Sequence, residues 1–182
     1  MLYIMRHGRT DWNEKNKLQG RTDIPLNAAG RKMAEEAAAV YKNVPLDVCY
    51  CSPLARARQT AEIFLKKRNI PIITDDRLVE MSFGIYEGTE QSARALDCPI
   101  NILFEEPEKY KAVEGGESIE KLFERTGGFL RNVVEPQLEA GKNIVIIGHG
   151  AMNSGIICQV RGLSTEHFWD AGINQCELLQ LK

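Results

Sequence analysis

The 182-residue sequence lacks the compositional biases that mark specialised classes of protein. Hydrophobic residues make up 43% and charged residues 26%, so the composition does not support a collagen-like, disordered or coiled-coil chain. An excess of positive charge is also missing, because 23 Lys and Arg against 25 Asp and Glu give a net charge of −2. A protein that coats nucleic acid or anionic membrane is therefore not expected.

Long apolar runs and paired cysteines are absent as well. The N-terminal apolar run, residues 2–5, is followed directly by Arg6 and is too short for a signal peptide, and no window is as long as a membrane span. The five cysteines include no CxxC pair, and their odd number leaves at least one unpaired. We therefore expect a cytoplasmic protein without membrane contact, whose cysteines pack in the core as reduced thiols.

The sequence contains no linker, low-complexity segment or internal repeat, so residues 1–182 are expected to form a single domain. Short apolar runs of the kind found in buried strands are separated by longer segments. Strands are expected at residues 2–5, 46–51, 72–73, 83–86, 144–147 and 177–181.

Segments with helical periodicity lie between these strands. Asn27, Ser52 and Ser118 are suitable N-cap residues, and Pro53 fits the first turn of the helix after Ser52. Helices are expected at residues 28–41, 53–67, 119–134 and 151–160, the first with an apolar stripe of Met33, Ala37, Val40 and Tyr41. This alternation predicts an α/β fold, a three-layer αβα sandwich around a mostly parallel central sheet.

The sharpest chemical signal is a pair of histidines at strand ends, where ligands bind in parallel sheets. The sequence has only three histidines, and both His7 and His149 follow an apolar strand and precede a glycine. Glycine allows close approach of the backbone to a ligand, and the amides at a helix start bind anions. Arg6 lies beside His7, and Arg56 and Arg58 follow Ser-Pro in the next helix. The pattern therefore indicates a phosphate site.

Two histidines among arginines suit phosphoryl transfer. Nearby arginines disfavour imidazolium, so one histidine can stay neutral and attack phosphorus to give a phosphohistidine intermediate. The other can donate to the phosphoryl oxygens, where charge is spread in the transition state. Glu80 is expected to protonate the leaving alkoxide because its apolar neighbours favour the uncharged carboxyl, and Glu87 is its rival.

Four motifs together resemble the histidine phosphatase superfamily, the phosphoglycerate-mutase-like clan. They stand in the family's order: RHGRTDWN from residue 6, SPLARARQTA at 52–61, EMSFGIYEG at 80–88 and GHG at 148–150. The resemblance implies that His7 is the phosphorylated nucleophile, that Glu80 is the proton donor, and that no metal or cofactor takes part. It further implies a phosphoryl and substrate site formed by Arg6, Asn13, Gln19, Gly20, Arg56, His149 and the amide of Gly150.

Within this superfamily the sequence resembles the short phosphatase branch more than the mutases. Mutases of the clan carry an adjacent pair of arginines for the substrate carboxylate, whereas segment 89–116 has only Arg94, Lys109 and Lys111 as cations. Mutases also have an asparagine where Ala151 stands. The expected function is metal-independent hydrolysis of a small phosphomonoester, such as α-ribazole phosphate or a sugar or glycerate phosphate. A phosphoglycerate mutase and a catalytically silent phospho-ligand-binding module are the alternatives.

A metal-dependent hydrolase built on His7 and His149 is a further alternative, but HxH and HxxxH spacings are missing and the arginines would repel a cation. Arg9 and Arg58 are expected outside the core of the site, and His167 is expected to serve packing or the surface.

Segment 89–116 is expected to form the specificity surface. Phe104, Tyr110 and the acidic run 105–108 would contribute to a lid, and a solvated helix start or loop is the alternative for the acidic run.

Overall fold

The computed structural model describes residues 1–91 and 94–182 of the chain. The strands are β1 (Leu2–Arg6), β2 (Val48–Cys51), β3 (Ile72–Thr74), β4 (Ile144–Gly148) and β5 (Leu178–Gln180). They form one sheet in the order β3-β2-β4-β1-β5, in which β5 alone of these five strands pairs antiparallel with its neighbour. The mostly parallel sheet predicted from the sequence is confirmed.

Helices cover both faces of this sheet. They are α1 (Asp11–Glu14), α2 (Ala28–Val40), α3 (Ala55–Leu65), α4 (Ile102–Glu105), α5 (Ile119–Phe129), α6 (Glu135–Glu139) and α7 (Gly150–Arg161). Successive side chains of a strand point to opposite faces. Accordingly, Leu2 and Ile4 belong to the core that includes α5 and α7, whereas Tyr3 and Met5 belong to the core that includes α2 and α3. The result is the predicted three-layer sandwich.

The parallel register of β1 and β4 brings the two strand-end histidines together. Arg6 is the register partner of Gly148, and the His7 amide donates to the Gly148 carbonyl at 2.9 Å. His149 is the N-cap of α7, so the chain turns from strand to helix at that residue. Both histidines therefore lie at the same edge of the sheet.

The cysteines agree with the expectation of reduced core thiols. All five are free, and the following four are buried: Cys49, Cys51, Cys158 and Cys176. Across residues 1–91 and 94–182, the helices are too short or too polar for any of them to cross a membrane.

The start of α3 differs from the prediction. Ser52 is not the N-cap, because the helix begins at Ala55 and the Ser52 hydroxyl instead accepts a bond from the Leu54 amide at 3.3 Å. The first helical amide, that of Ala55, donates to the carboxylate of Asp23 at 2.7 Å. This cap comes from a residue 32 positions earlier in the chain, which no local pattern indicates.

The strand expected at residues 83–86 is also wrong, because Gly84–Tyr86 forms a 3-10 turn. Gly84 has a φ of +55°, and a Cβ at this position would lie 1.9 Å from the Glu114 carbonyl oxygen. The close contact with Glu114 explains both the turn and the need for glycine. On α2, the predicted stripe is wrong at Val40, which is 72% exposed.

The helix expected over residues 119–134 is longer and less regular than predicted. After α5 the chain continues through a π-helical turn at Leu130–Val134 into α6, which contains Pro136. Gly127 does not interrupt α5, and a Cβ there would lie 2.5 Å from the Gln159 side-chain oxygen on α7. The glycine is thus part of the packing between α5 and α7.

We expect Leu122→Ala to lower the free energy of unfolding by about 2–5 kcal/mol, since Leu122 of α5 is fully buried against α7. Val40→Ala is the control, and the change at this exposed position should stay within about 0.5 kcal/mol. Urea unfolding monitored by circular dichroism measures both. Similar values for the two variants would contradict the packing described for α5.

Candidate active site

His7 is almost completely buried at the end of β1, and its ring orientation is determined by one contact. The Nδ1 atom lies 2.7 Å from the Gly8 carbonyl oxygen. A carbonyl only accepts hydrogen bonds, so Nδ1 carries the proton and Nε2 of the neutral ring has a free lone pair. Burial lowers the pKa of His7 well below its usual range, and the charges of Arg56 and Arg6 lower it further.

His149 has the opposite tautomer. Arg56 donates from Nε to Nδ1 of His149 at 3.2 Å, and because arginine only donates, the proton of the neutral ring lies on Nε2. This Nε2 is buried and has no hydrogen-bond partner among residues 1–91 and 94–182. Burial, followed by the charge of Arg56, lowers the pKa of His149 well below its usual range. The ring centroids of His7 and His149 are 5.2 Å apart.

Arg56 is fully buried and connects His149 to the loop before α2. Its Nη1 donates to the Thr22 carbonyl at 2.9 Å and its Nη2 to the Gly20 carbonyl at 2.7 Å. Burial lowers the pKa of Arg56 to about 10, so the side chain stays charged at neutral pH. The sequence-predicted Gly20 thus contributes its carbonyl oxygen, and its φ of +53° suits glycine.

Arg6, Gly150 and Glu80 form another part of the site. The Arg6 Nε is buried without a partner in the part of the chain that the structure describes. Burial lowers the pKa of Arg6, and the charge of Glu80 partly offsets this effect. A Cβ on Gly150 would lie 3.8 Å from both the Arg6 guanidinium carbon and a Glu80 carboxylate oxygen. These three residues therefore surround one small region.

Glu80 is buried at the N-terminus of α7. Its Oε1 accepts from the Met81 and Met152 amides at 2.8 and 2.9 Å, and its Oε2 accepts from the Ala151 amide at 3.2 Å. The apolar surroundings expected from the sequence are therefore not what this carboxylate meets. The start of α7 holds the carboxylate beside Gly150. Of the three amide hydrogen bonds, Oε2 accepts only one.

Glu87, the rival carboxylate, has a different position. Its oxygens accept from the amides of Arg21, Thr22 and Phe83 at 3.0, 3.0 and 3.1 Å, and from the Thr22 hydroxyl at 2.6 Å. These bonds tie the loop around Gly20 to the 3-10 turn. The geometry favours Glu80 over Glu87 as the carboxylate of the site.

Asn13 and Gln19 are both held by Thr10. The Thr10 side chain caps α1 by accepting from the Asn13 amide, while Asn13 Oδ1 accepts from the Thr10 amide at 3.1 Å and from Gln175 Nε2 at 2.9 Å. Gln19 Oε1 accepts from the Thr10 hydroxyl at 2.9 Å. Since the side-chain oxygens of Asn13 and Gln19 face these donors, their NH2 groups point away and remain for a ligand. Thr10 and Asn13 form the capping box of α1, and a threonine three residues before Asn13 is the local sequence signal for this helix start.

The remaining candidates lie at the rim or outside. Arg9 is exposed and lines an open cleft of about 750 Å³ together with Arg6 and Asn13. Arg58 is exposed, and His167 lies at the surface, where Asp170 contacts its Nδ1 at 2.7 Å. Arg9 is thus nearer to the site than expected, whereas Arg58 and His167 agree with the expectation.

The described residues of the expected specificity segment divide between the surface and the core, and residues 92 and 93 of this segment lie outside the described residues. Phe104 and Arg94 border an opening of about 260 Å³ that also includes Asn13 and Lys17. Tyr110, expected on the lid, is instead buried in the core. Of the acidic run 105–108, Glu106 pairs with Lys109 at the surface.

An ion-pair network that the sequence did not indicate contacts the backbone of Glu80. Glu117 accepts two bonds from Arg125, at 2.8 and 2.9 Å, and Arg21 Nη2 lies 3.2 Å from the same carboxylate. Arg21 also donates from Nε to the Glu80 carbonyl at 3.2 Å, which fixes the backbone that carries the buried acid. Within the described ranges, no cluster of three or more His, Cys, Asp or Glu is arranged to hold a metal.

Both the sequence and the fold of the chain resemble those of known proteins. The model of the histidine phosphatase superfamily (branch 1) matches residues 2–182. The Bacillus subtilis protein named "Uncharacterized phosphatase PhoE" is 35% identical over 173 residues, which cover 95% of this chain and 83% of the relative. Phosphoserine phosphatase 1 of Hydrogenobacter thermophilus is 30% identical over 173 residues, 94% of this chain and 81% of the relative.

A solved structure, Bacillus stearothermophilus YhfR, has a TM-score of 0.87 and 28% sequence identity, covering 97% of this chain and 88% of that one. The matching relatives also include proteins named as phosphoglycerate mutases. The fold and the overall similarity therefore point to one superfamily, with hydrolases and mutases among its members.

The lowered pKa values of His7 and His149 predict acid sensitivity. The histidines of the unfolded chain take up protons below their pKa of about 6.5, whereas the folded chain keeps both rings neutral. The contribution of the neutral rings to the free energy of unfolding is therefore complete above that pH and is lost below it. Each ring should lower the free energy of unfolding by up to about 1.4 kcal/mol per pH unit between pH 6 and 5.

Urea unfolding at pH 5, 6 and 7 and constant ionic strength measures this dependence. We expect His7→Gln to remove about half of the histidine contribution to the slope. His167→Gln is the control: Asp170 raises the pKa of this exposed histidine, so it cannot produce the same acid loss. A slope unchanged by His7→Gln would contradict a neutral buried His7.

Proposed function

The chain belongs to the histidine phosphatase superfamily (branch 1), and on this premise we propose that it hydrolyses small phosphomonoesters through a phosphohistidine at His7. Residues 1–182 act as one catalytic domain in this proposal. The observation that carries it is the pair of opposite tautomers. His7 Nε2 has a free lone pair, and the N–H of His149 Nε2 has no partner among the residues that the structure describes. One ring attacks phosphorus while the other stabilises the phosphoryl oxygens.

The phosphoryl group lies between the two rings in this proposal. Arg6 binds it through its terminal nitrogens, and Asn13 through its NH2 group. Arg56 contributes positive charge and holds His149, and three of its five N–H groups donate to Gly20, Thr22 and His149. Donors fixed before substrate arrives need no reorganisation when charge develops in the transition state.

The amide of Gly150 and the NH2 group of Gln19 complete this set of donors. Gly20 acts through its carbonyl bond to Arg56, and a side chain at this position would collide with Glu87, whose Oε1 would lie 2.0 Å from the Cβ.

Glu80 supplies the proton for the leaving group. A proton on Oε2, the oxygen nearest Gly150, passes to the ester oxygen as the P–O bond breaks and the P–N bond to His7 forms. The resulting carboxylate then takes a proton from water, whose oxygen attacks phosphorus and releases inorganic phosphate from His7. Apart from the substrate and water, the cycle uses only groups of this chain.

Hydrolysis is favoured over mutase activity by the specificity segment. Among the described residues that border the opening beside Asn13, Arg94 and Lys17 are single cations from different segments, and they form no adjacent arginine pair. The cleft of about 750 Å³ at Arg6 also leaves the site accessible to water. We propose small phosphorylated metabolites as substrates, and phosphoserine belongs in the first test because a 30% identical relative bears the name phosphoserine phosphatase.

A panel of phosphomonoesters assayed with and without EDTA tests the function. We expect turnover that EDTA does not reduce, with values of kcat/KM that differ among phosphoserine, glycerate phosphates, sugar phosphates and α-ribazole phosphate. Loss of activity in EDTA would support a metal-dependent hydrolase, and no turnover a silent binding module. Rapid interconversion of phosphoglycerates with a bisphosphorylated primer would support a mutase.

His7→Ala should lower turnover by about 10³-fold or more, since the nucleophile is removed. It should also abolish acid-labile phosphate on the protein in rapid-quench experiments with radiolabelled substrate. His167→Ala, which removes the surface histidine, should leave both unchanged. Phosphoprotein in the His7 variant would place the nucleophile elsewhere.

Glu80→Gln should affect substrates according to their leaving group. We expect a loss of about 10²- to 10⁴-fold in kcat/KM for alkyl phosphates, and a much smaller loss for p-nitrophenyl phosphate, whose leaving group hardly needs a proton. Glu120→Gln, at an exposed position on α5, is the matched control. An equal loss on both substrate types would argue against Glu80 as the general acid.

A further inference from the structure

A small cavity with both polar and apolar lining residues lies beside His149. It has a volume of about 60 Å³ and is lined by Arg6, His149, Asn153, Ser154 and Trp169 among others. Asn153, on the first turns of α7, is 1% exposed. The cavity adjoins the proposed phosphoryl site, since Arg6, His149 and Gly150 line it, but the proposed reaction assigns no task to Asn153.

The orientation of the Asn153 amide is determined by the end of β1. Its Nδ2 donates to the Met5 carbonyl at 3.1 Å, and because a carbonyl only accepts, the nitrogen must face Met5. The Asn153 Oδ1 therefore faces the other way, where it is buried and has no hydrogen-bond partner among residues 1–91 and 94–182. Gly148 leaves room for this oxygen, since a Cβ there would lie 2.8 Å from it.

A complementary buried atom belongs to another residue that lines this cavity. Arg6 Nε is a buried donor that the described part of the chain leaves unpaired, and Asn153 Oδ1 is a buried acceptor in the same situation. Both residues line the one cavity, which is large enough for one or two water molecules. A water bound between them would accept from Arg6 Nε–H and donate to Asn153 Oδ1.

We propose that Asn153 is a positioning residue for Arg6 and acts through an ordered water in this cavity. A guanidinium group is planar, so a bond at Nε also determines the direction of its two terminal nitrogens. Asn153 would thus hold the Arg6 side chain through the water and the preceding residue, Met5, directly. The inference rests on the proposed function, in which those terminal nitrogens bind the phosphoryl group.

A double-mutant cycle between Asn153 and Arg6 tests this role. Asn153→Leu removes the oxygen at nearly constant volume, and it should raise the KM for p-nitrophenyl phosphate and the inhibition constant of inorganic phosphate together, by about 10-fold or more. The value of kcat should change much less, because ground-state binding of the phosphoryl group is affected most.

In an Arg6→Lys background, which lacks the Nε–H, Asn153→Leu should change phosphate binding by less than about twofold. Calorimetric titration with inorganic phosphate gives the same cycle independently of turnover. Additive effects of the two substitutions on phosphate binding would overturn the inference. If Asn153 only stabilised the fold, the effect of replacing it would be the same with Arg6 and with Lys at position 6.

Gln159→Leu is the control on the same helix. It removes the bond from Gln159 to the Thr126 hydroxyl at 2.7 Å, far from the cavity, and should leave phosphate binding unchanged. Asn153→Ala is the second variant if Asn153→Leu does not fold, and it should show the same dependence on Arg6 with a smaller loss, because the larger cavity admits another water. If the natural protein hydrolyses no phosphomonoester, the proposed function fails, whereas hydrolysis with an additive cycle refutes only the role of Asn153.

Discussion

The buried guanidinium group of Arg56 is the interaction on which the site depends. It donates to His149 and thereby determines the tautomer of that ring, and it donates to two loop carbonyls, those of Gly20 and Thr22, and so holds the loop over the site. Its charge also disfavours protonation of His7 and His149. Arg56 is fully buried, and no carboxylate in the described part of the chain pairs with it directly. A buried cation in this situation is a costly arrangement, which the proposed phosphoryl dianion would relieve.

The acidic residues near the site are kept away from the phosphoryl pocket. Glu87 is used to tie two loops together, and Glu117 is paired with Arg125 and Arg21. Among the carboxylates of residues 1–91 and 94–182 discussed above, Glu80 is the one beside Gly150, and two amides at the start of α7 donate to it. A chain with a net charge of −2 can therefore contain an electropositive pocket, because its carboxylates are placed elsewhere or are satisfied by backbone donors.

Local patterns predicted the elements whose stability is local. The N-caps Asn27 and Ser118 are confirmed, as is the placement of the parallel strands, because capping and hydrophobic burial leave direct marks in the sequence. The start of α3 and the conformation of residues 83–86 were wrong because contacts with Asp23 and Glu114, distant in the chain, decide them. Tyr110 was misplaced for the same reason, since the core that buries it comes from other segments.

The sequence by itself determined the superfamily, the sheet and the two histidines at neighbouring strand ends, because motif order and apolar periodicity are properties of the chain alone. Only the tertiary structure decided which nitrogen of each ring carries the proton and which of two carboxylates approaches the pair. Those properties depend on bonds from Arg56, Gly8 and the start of α7, each of which requires atoms within about 3 Å. Such distances arise only when the segments have packed together.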